Sequence, residues 1–203
     1  MWVFPLVKGM GVGASLIMAI GTQNVFVLSS ALRGQHALVI GIVCVVIDIS
    51  LIFGGVLGLS ALIKEMPMLV DLASYFGALF LFVYGVIAFR RAFSPNGLKA
   101  TSIKKMTVAA AIGTTAALSL LNPHVYLDTV ILLGSIGGQL PDNQPLWFAF
   151  GASIASVLWF STLVVGGKAL APWFKSDKSW KKLDLLVGCT MWVIAAALLY
   201  STF

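Results

Sequence analysis

Charged residues are scarce in this sequence. Only 13 Lys and Arg and seven Asp and Glu occur among 203 residues, whereas 60% of the residues are hydrophobic. Soluble domains contain about 25% charged and about 45–50% apolar residues, so a water-soluble globule is excluded. Intrinsic disorder is excluded as well, because it requires low hydrophobicity. The net charge of +6 rests on too few cations to form a basic face for nucleic acid.

Cysteine pairs and the motifs of common enzymes are also lacking. Cys44 and Cys189 stand alone in apolar runs, without a CxxC or metal-ligand spacing, which argues against a disulfide framework and a zinc site. The sequence contains no G-x-S-x-G, no H-E-x-x-H and no glycine-rich phosphate loop. We therefore expect no enzyme of these classes, no metal, no cofactor and no drive by ATP bound to this chain.

Long apolar runs are what the sequence does have. A membrane-spanning helix needs about 20 mostly apolar residues, and six runs qualify: residues 6–28, 37–63, 68–89, 107–138, 146–170 and 183–200. Run 107–138 is too long for one upright span and contains Pro123, which disfavours helix at Asn122. We predict an all-α polytopic membrane helix bundle of about six transmembrane helices with a broken fourth helix. A re-entrant hairpin is the alternative for that segment.

The six spans divide into two similar halves within a single transmembrane domain, residues 1–203. A shift of about 100 residues aligns residues 23–27 with 123–127, and chance similarity of apolar sequence is the alternative. We predict repeat one at 1–92, a cytoplasmic linker at 93–106 and repeat two at 107–203. Three spans per repeat invert the second half, an arrangement typical of transporters with broken helices at the substrate site.

The distribution of Lys and Arg predicts the orientation, because short basic loops stay in the cytoplasm. The first, third and fifth loops are therefore predicted to be cytoplasmic and both termini external. These loops hold Arg33, Arg90, Arg91, Lys99, Lys104, Lys105, Lys168, Lys175, Lys178, Lys181 and Lys182. Lys8 and Lys64 are the exceptions.

Two acids, Asp48 and Asp128, are expected to be the only ones inside spans. Asp48 lies eleven residues into its span, a depth of roughly 16 Å, where a carboxylate costs at least about 2.5–3.5 kcal/mol. Such acids line a pathway or take a partner. A straight helix from Lys105 would carry Asp128 about 34 Å away. The two acids are thus either two successive binding sites along a pathway or, if the break folds the chain back, parts of one site.

Further polar residues flank these acids. His124 precedes Asp128 by four residues, which places both on one helix face and favours either a local hydrogen bond or proton exchange. Gln23, Asn24 and Asn122 either bond between helices or bind a substrate carboxylate. The GxxxG pairs Gly9/Gly13, Gly54/Gly58 and Gly134/Gly138 predict close helix packing.

The segment Asn122-Pro-His-Val-Tyr-Leu-Asp128-Thr129 resembles the signature of the LysE family of lysine and arginine exporters, and is closest to its arginine-exporter branch. Gly21-Thr-Gln-Asn24 resembles the family's Gly-Pro-Gln-Asn, Asp48 matches its acid, and Ser156-Val-Leu-Trp-Phe160 is also similar. Thr22 stands where the family usually has Pro, which weakens the case for a Pro-induced break in the first span, although Gly21 still permits one.

The resemblance implies export of L-arginine, L-lysine or both across the bacterial inner membrane, driven by the proton-motive force. A cationic substrate needs carboxylates in a low-dielectric path. The expected substrate-binding residues are Asp48, Asp128, Gln23, Asn24, Asn122, His124 and Tyr126. The expected partners are the substrate, protons and the lipid bilayer, and so thin a bundle is compatible with a homodimer.

Three alternatives stay open on the sequence alone. One is an exporter of neutral amino acids or another small metabolite, in which the acids serve proton coupling only. Another is an intramembrane enzyme that uses His124 and Asp128 and releases an altered product. The third is a membrane assembly factor, which would give no flux in proteoliposomes.

Overall fold

The computed structural model describes residues 2–19, 21–59, 67–93, 106–174 and 176–200, which contain helices and no strand. Eight helices lie in this part of the chain: α1 (Val3–Ile17), α2 (Thr22–Leu32), α3 (Ala37–Gly54), α4 (Pro67–Phe93), α5 (Val108–Leu120), α6 (Pro123–Gly138), α7 (Gln144–Leu170) and α8 (Asp177–Tyr200). The predicted all-α bundle is confirmed. Lys64, Lys99, Lys104, Lys105, Lys175, the end of the second predicted span and most of the linker lie outside the described residues.

Four segments are long and apolar enough to cross a membrane alone: Ala37–Gly58, Ser74–Phe93, Gln144–Trp173 and Lys178–Tyr200. Two bent pairs bring the number to six if each crosses once, α1 with α2 at 80° and α5 with α6 at 64°. Each half therefore holds a bent pair followed by two long helices. The inverted relation between the halves and the orientation in the membrane stay predictions.

The fourth span breaks where the sequence predicts. Asn122 takes an extended conformation with φ −96° and ψ 107°, because the following Pro123 disfavours helix there, and Pro123 opens α6. The first span, for which the sequence left a break at Gly21 open, is also broken. Its break ends at Gly21, which is extended at φ −129° and ψ 169°. The break is present although position 22 is threonine and not proline.

Small residues bring the helices close together. A Cβ added to Gly9 would collide with the backbone of Phe148 on α7, and one added to Gly13 would lie 2.9 Å from the Cα of Ala152. Gly134 on α6 meets the backbone of Gly55 in the same way. Close packing at these glycines is confirmed. Gly58 differs: it has open space around it and a φ of 117°, a conformation that suits glycine at the end of α3.

A charged cluster joins the two halves at one end of the bundle. Arg33, after α2, places its Nη2 2.6 Å from Oδ1 of Asp184 on α8, and Arg91 near the end of α4 places its Nε 3.4 Å from the same oxygen. The Arg33 guanidinium also lies 5.0 Å from the ring centre of Trp180. Burial lowers the pKa of Arg33 from its ordinary value, and the neighbouring Asp184 carboxylate acts in the opposite direction.

Asp184 corrects the expectation that Asp48 and Asp128 are the only acids within spans. It lies in the Lys178–Tyr200 segment and is only 1% exposed. A buried carboxylate is tolerated here because two arginines lie beside it. It is therefore paired with two arginines, whereas no Lys or Arg among the described residues forms an ion pair with Asp48 or Asp128.

Candidate functional site

A cavity of about 320 Å³ lies beside both helix breaks, and residues of α1, α2, α3, α6, α7 and α8 line it. Its volume falls in the range of about 300–1,000 Å³ typical of small-molecule sites. The polar residues that line it are Thr22, Gln23, Asn24, Asp48, Asn122, His124, Asp128 and Thr129. Among the described lining residues there is no Lys or Arg. The cavity thus contains two carboxylates and no fixed cation to balance them.

Asp48 is held on α3 with its side chain nearly inaccessible to solvent. The residue is 5% exposed, and the Ser156 hydroxyl on α7 donates a hydrogen bond to its Oδ2 over 2.8 Å. The side chain of Gln23 lies beside the carboxylate as well. A single neutral hydrogen bond leaves most of the acceptor capacity of a carboxylate unused. The remaining capacity is available to a ligand in the cavity.

Asp128 lies in α6, within a π-helical stretch from Tyr126 to Leu132. Such stretches are rare and occur frequently at functional sites. His124 lines the cavity together with Asp128, in agreement with their predicted shared face, but no hydrogen bond joins these two described side chains. The 64° bend between α5 and α6 carries Asp128 to the same cavity as Asp48. The two acids therefore line one cavity, while their roles in binding stay a prediction.

Asn24 and Asn122 line the cavity, but their side chains form hydrogen bonds with backbone groups at the two helix breaks. The Asn24 amide nitrogen donates to the carbonyl oxygens of Ile17 and Ala19, at 3.0 and 2.7 Å, and so satisfies the end of α1. The Asn122 Oδ1 accepts from the backbone N–H of His124 over 3.2 Å and caps the start of α6. These contacts give both residues a structural role in shaping the cavity.

Tyr126 is the one predicted site residue that is not among the described lining residues. Its hydroxyl donates to the carbonyl oxygen of Leu120 over 2.6 Å and so bridges the break between α5 and α6. The remaining six predicted residues all line the cavity.

Sequence reasoning identified the segment from Ser156 to Phe160 on α7 as similar to the family but assigned it no role in the site. Ser156 bonds to Asp48, the Trp159 indole N–H donates to Asn24 Oδ1 over 3.2 Å, and Phe160 lines the cavity. Their spacing of i, i+3 and i+4 places them on one face of a helix, a signal that could have identified them. Within the described residues, no three His, Cys, Asp or Glu side chains converge to hold a metal ion.

Comparison with known proteins agrees with the resemblance of the motifs. The family model described as LysE type translocator matches residues 14–202. The arginine exporter protein ArgO of Serratia proteamaculans (strain 568) is 43% identical over 192 residues, which cover 94% of each chain. The arginine exporter protein ArgO of Escherichia coli (strain K12) is 41% identical and covers 94% of this chain and 91% of its own. No solved structure matches significantly.

Proposed function

Because the chain belongs to the LysE type translocator family, we propose that it exports basic amino acids, L-arginine and L-lysine, across the bacterial inner membrane. Members of this family are transporters and not enzymes, so an intramembrane enzyme that uses His124 and Asp128 is set aside. The curated relatives named above are arginine exporters that match almost the whole chain. Their names favour arginine as the main substrate.

The observation that carries the proposal is a cavity with two carboxylates and no opposing cation. Asp48 and Asp128 both line it, while no Lys or Arg does so among its described lining residues. A guanidinium or ammonium group supplies the missing positive charge, and hydrogen bonds between charged groups are about twice as strong as neutral ones. By contrast Asp184, the buried acid outside the cavity, already has its arginine partners.

Protonation of the same carboxylates would couple transport to the proton-motive force. A carboxylate that holds a proton is neutral and no longer attracts a cation, so proton binding and substrate binding exclude each other at one acid. Entry of a proton from outside would therefore release the cationic substrate outward. Movement of the two halves about the cavity would expose it to each side in turn, as in other transporters with broken helices.

Counterflow in proteoliposomes tests the proposal. Vesicles that contain purified protein are loaded with unlabelled arginine, and entry of labelled arginine and lysine is measured with and without an imposed pH gradient. We expect Asp48→Asn and Asp128→Asn each to reduce flux about tenfold or more, the size expected for a lost charged hydrogen bond. Asp142→Asn is the matched control, since Asp142 is exposed and lies away from the cavity.

Two results would contradict the proposal. Wild-type flux in both variants, at normal protein levels, would remove the acids from the mechanism. Flux of labelled leucine or alanine that excess arginine does not inhibit would instead identify a neutral amino-acid exporter, in which the acids serve proton coupling alone.

A further inference from the structure

The two helix breaks differ in how their polar backbone groups are satisfied. At the second break, Tyr126 donates to the carbonyl of Leu120 and Asn122 caps the first turn of α6. Both ends of the broken helix are therefore satisfied by side chains. At the first break, Asn24 satisfies carbonyls at the end of α1, but no side chain of the described residues caps the start of α2. One helix N-terminus beside the cavity is thus left uncapped.

The uncapped terminus belongs to a regular helix of 11 residues, Thr22–Leu32. The first N–H groups of a helix have no partner within it and carry a partial positive charge. Gly21, Thr22 and Gln23, which form this terminus, all line the cavity. Such termini are suited to anions, and broken transporter helices direct them at anionic substrate groups.

One side-chain donor at the same place also lacks a partner. The Thr22 hydroxyl is buried with 0% exposure of its residue, and its Oγ1 forms no hydrogen bond with the described residues. The neighbouring Gln23 amide differs, because it lies beside the Asp48 carboxylate. Leaving a buried polar group unsatisfied costs about 1–3 kcal/mol. An unsatisfied hydroxyl that lines the cavity beside an uncapped helix terminus indicates a ligand that accepts hydrogen bonds.

We propose that the N-terminus of α2, with the Thr22 hydroxyl, binds the α-carboxylate of the amino-acid substrate. This inference rests on the proposed function and deepens it. The cationic end of the substrate then faces Asp48 and Asp128 across the same cavity. The substrate therefore lies with its carboxylate at the first break and its side chain toward the acids.

Agmatine, which is arginine without its carboxylate, tests this subsite. Inhibition of labelled arginine counterflow is measured with unlabelled arginine and agmatine, on wild type, Thr22→Val and Thr22→Ser. Thr22→Val keeps the shape of the side chain and removes the hydroxyl, and Thr22→Ser restores it. Thr115→Val is the matched control, because Thr115 is equally buried but its hydroxyl bonds to the carbonyl of Ala111 outside the cavity.

We expect agmatine to inhibit wild type about tenfold or more weakly than arginine, the size of a lost hydrogen bond to a charged group. Thr22→Val should weaken inhibition by arginine by a similar factor and leave that by agmatine unchanged. Thr22→Ser and Thr115→Val should match wild type.

The failures are distinguishable. If wild type does not carry arginine, the proposed function fails and this inference fails with it. If wild type carries arginine but agmatine inhibits as strongly as arginine, the export function stands and the carboxylate subsite is overturned. Equal weakening of arginine and agmatine by Thr22→Val would also overturn it. The wild-type comparison decides the question even if Thr22→Val does not fold.

Discussion

Asp184→Asn should destabilise the protein strongly although it lies outside the cavity. The Asp184 residue is 1% exposed, and the Arg33 side chain that it contacts at 2.6 Å is 5% exposed. An arginine side chain does not lose its proton in a protein, so Arg33 cannot shed its charge when its partner is neutralised. Arg91, 3.4 Å from the same oxygen, adds a second cation next to it. The variant therefore leaves an uncompensated positive charge in a buried place.

The size of the expected destabilisation follows from the burial of Asp184 and Arg33. Removing one partner of a buried ion pair costs about 3–5 kcal/mol. Asparagine keeps the shape and one acceptor oxygen, so we expect the lower end, about 3 kcal/mol. In a chain of this size 1 kcal/mol lowers the Tm by about 2–4 °C, which gives a fall of about 6–12 °C. Thermal unfolding in detergent, followed by size-exclusion chromatography with fluorescence detection, measures the shift.

A double variant shows whether the loss of stability comes from the unpaired charge of Arg33 or from altered packing. Arg33→Met combined with Asp184→Asn removes the buried positive charge of Arg33, which Asp184→Asn alone leaves without its partner. The double variant should therefore be more stable than Asp184→Asn alone. Asp142→Asn, at an exposed acid, should leave the Tm unchanged. The reasoning is refuted if Asp184→Asn behaves like Asp142→Asn, or if the double variant is less stable than the sum of its single changes predicts.

Two further variants probe packing and the site. Gly9→Val should abolish folded protein in chromatography, because its side chain would meet the backbone of α7, whereas Gly11→Val on the open side of α1 should not; equal yields would contradict the packing. Ser156→Ala should lower arginine affinity about tenfold at normal protein levels by freeing the Asp48 carboxylate. Ser153→Ala, at a serine that bonds within α7 one turn earlier, should behave as wild type, and parity between the two serine variants would refute a role for Ser156.

The sequence predicts those features of the fold that depend on local chemistry. Apolar run length gives the spans, and the proline at 123 gives the second break. Sequence reasoning left the first break open, because position 22 is threonine and Gly21 permits a break without requiring one. The groups that stabilise this break are far apart in the sequence. The Asn24 amide reaches back seven residues to Ile17 and is itself held by Trp159, 135 residues away.

The same distinction between local and distant contacts applies to the acids. Asp48 was recognised from its depth in an apolar run, which is a property of neighbouring residues. Asp184 was missed because its partner Arg33 is 151 residues away, and only the folded chain brings them together. That Asp48 and Asp128 share a cavity depends on a 64° bend, whose size no motif encodes.

Under the proposed function, each charged group of a basic amino acid has a counterpart in the cavity. Arginine carries a guanidinium, an α-ammonium and an α-carboxylate; the cavity offers two carboxylates and one uncapped helix N-terminus. A neutral amino acid would leave one carboxylate uncompensated, and a substrate without its carboxylate would leave the terminus of α2 unsatisfied. Since an unsatisfied buried group costs about 1–3 kcal/mol, and more if it is charged, each mismatch lowers affinity about fivefold or more. If the proposed function holds, selectivity for basic amino acids requires both the acids and a first break whose helix terminus stays free.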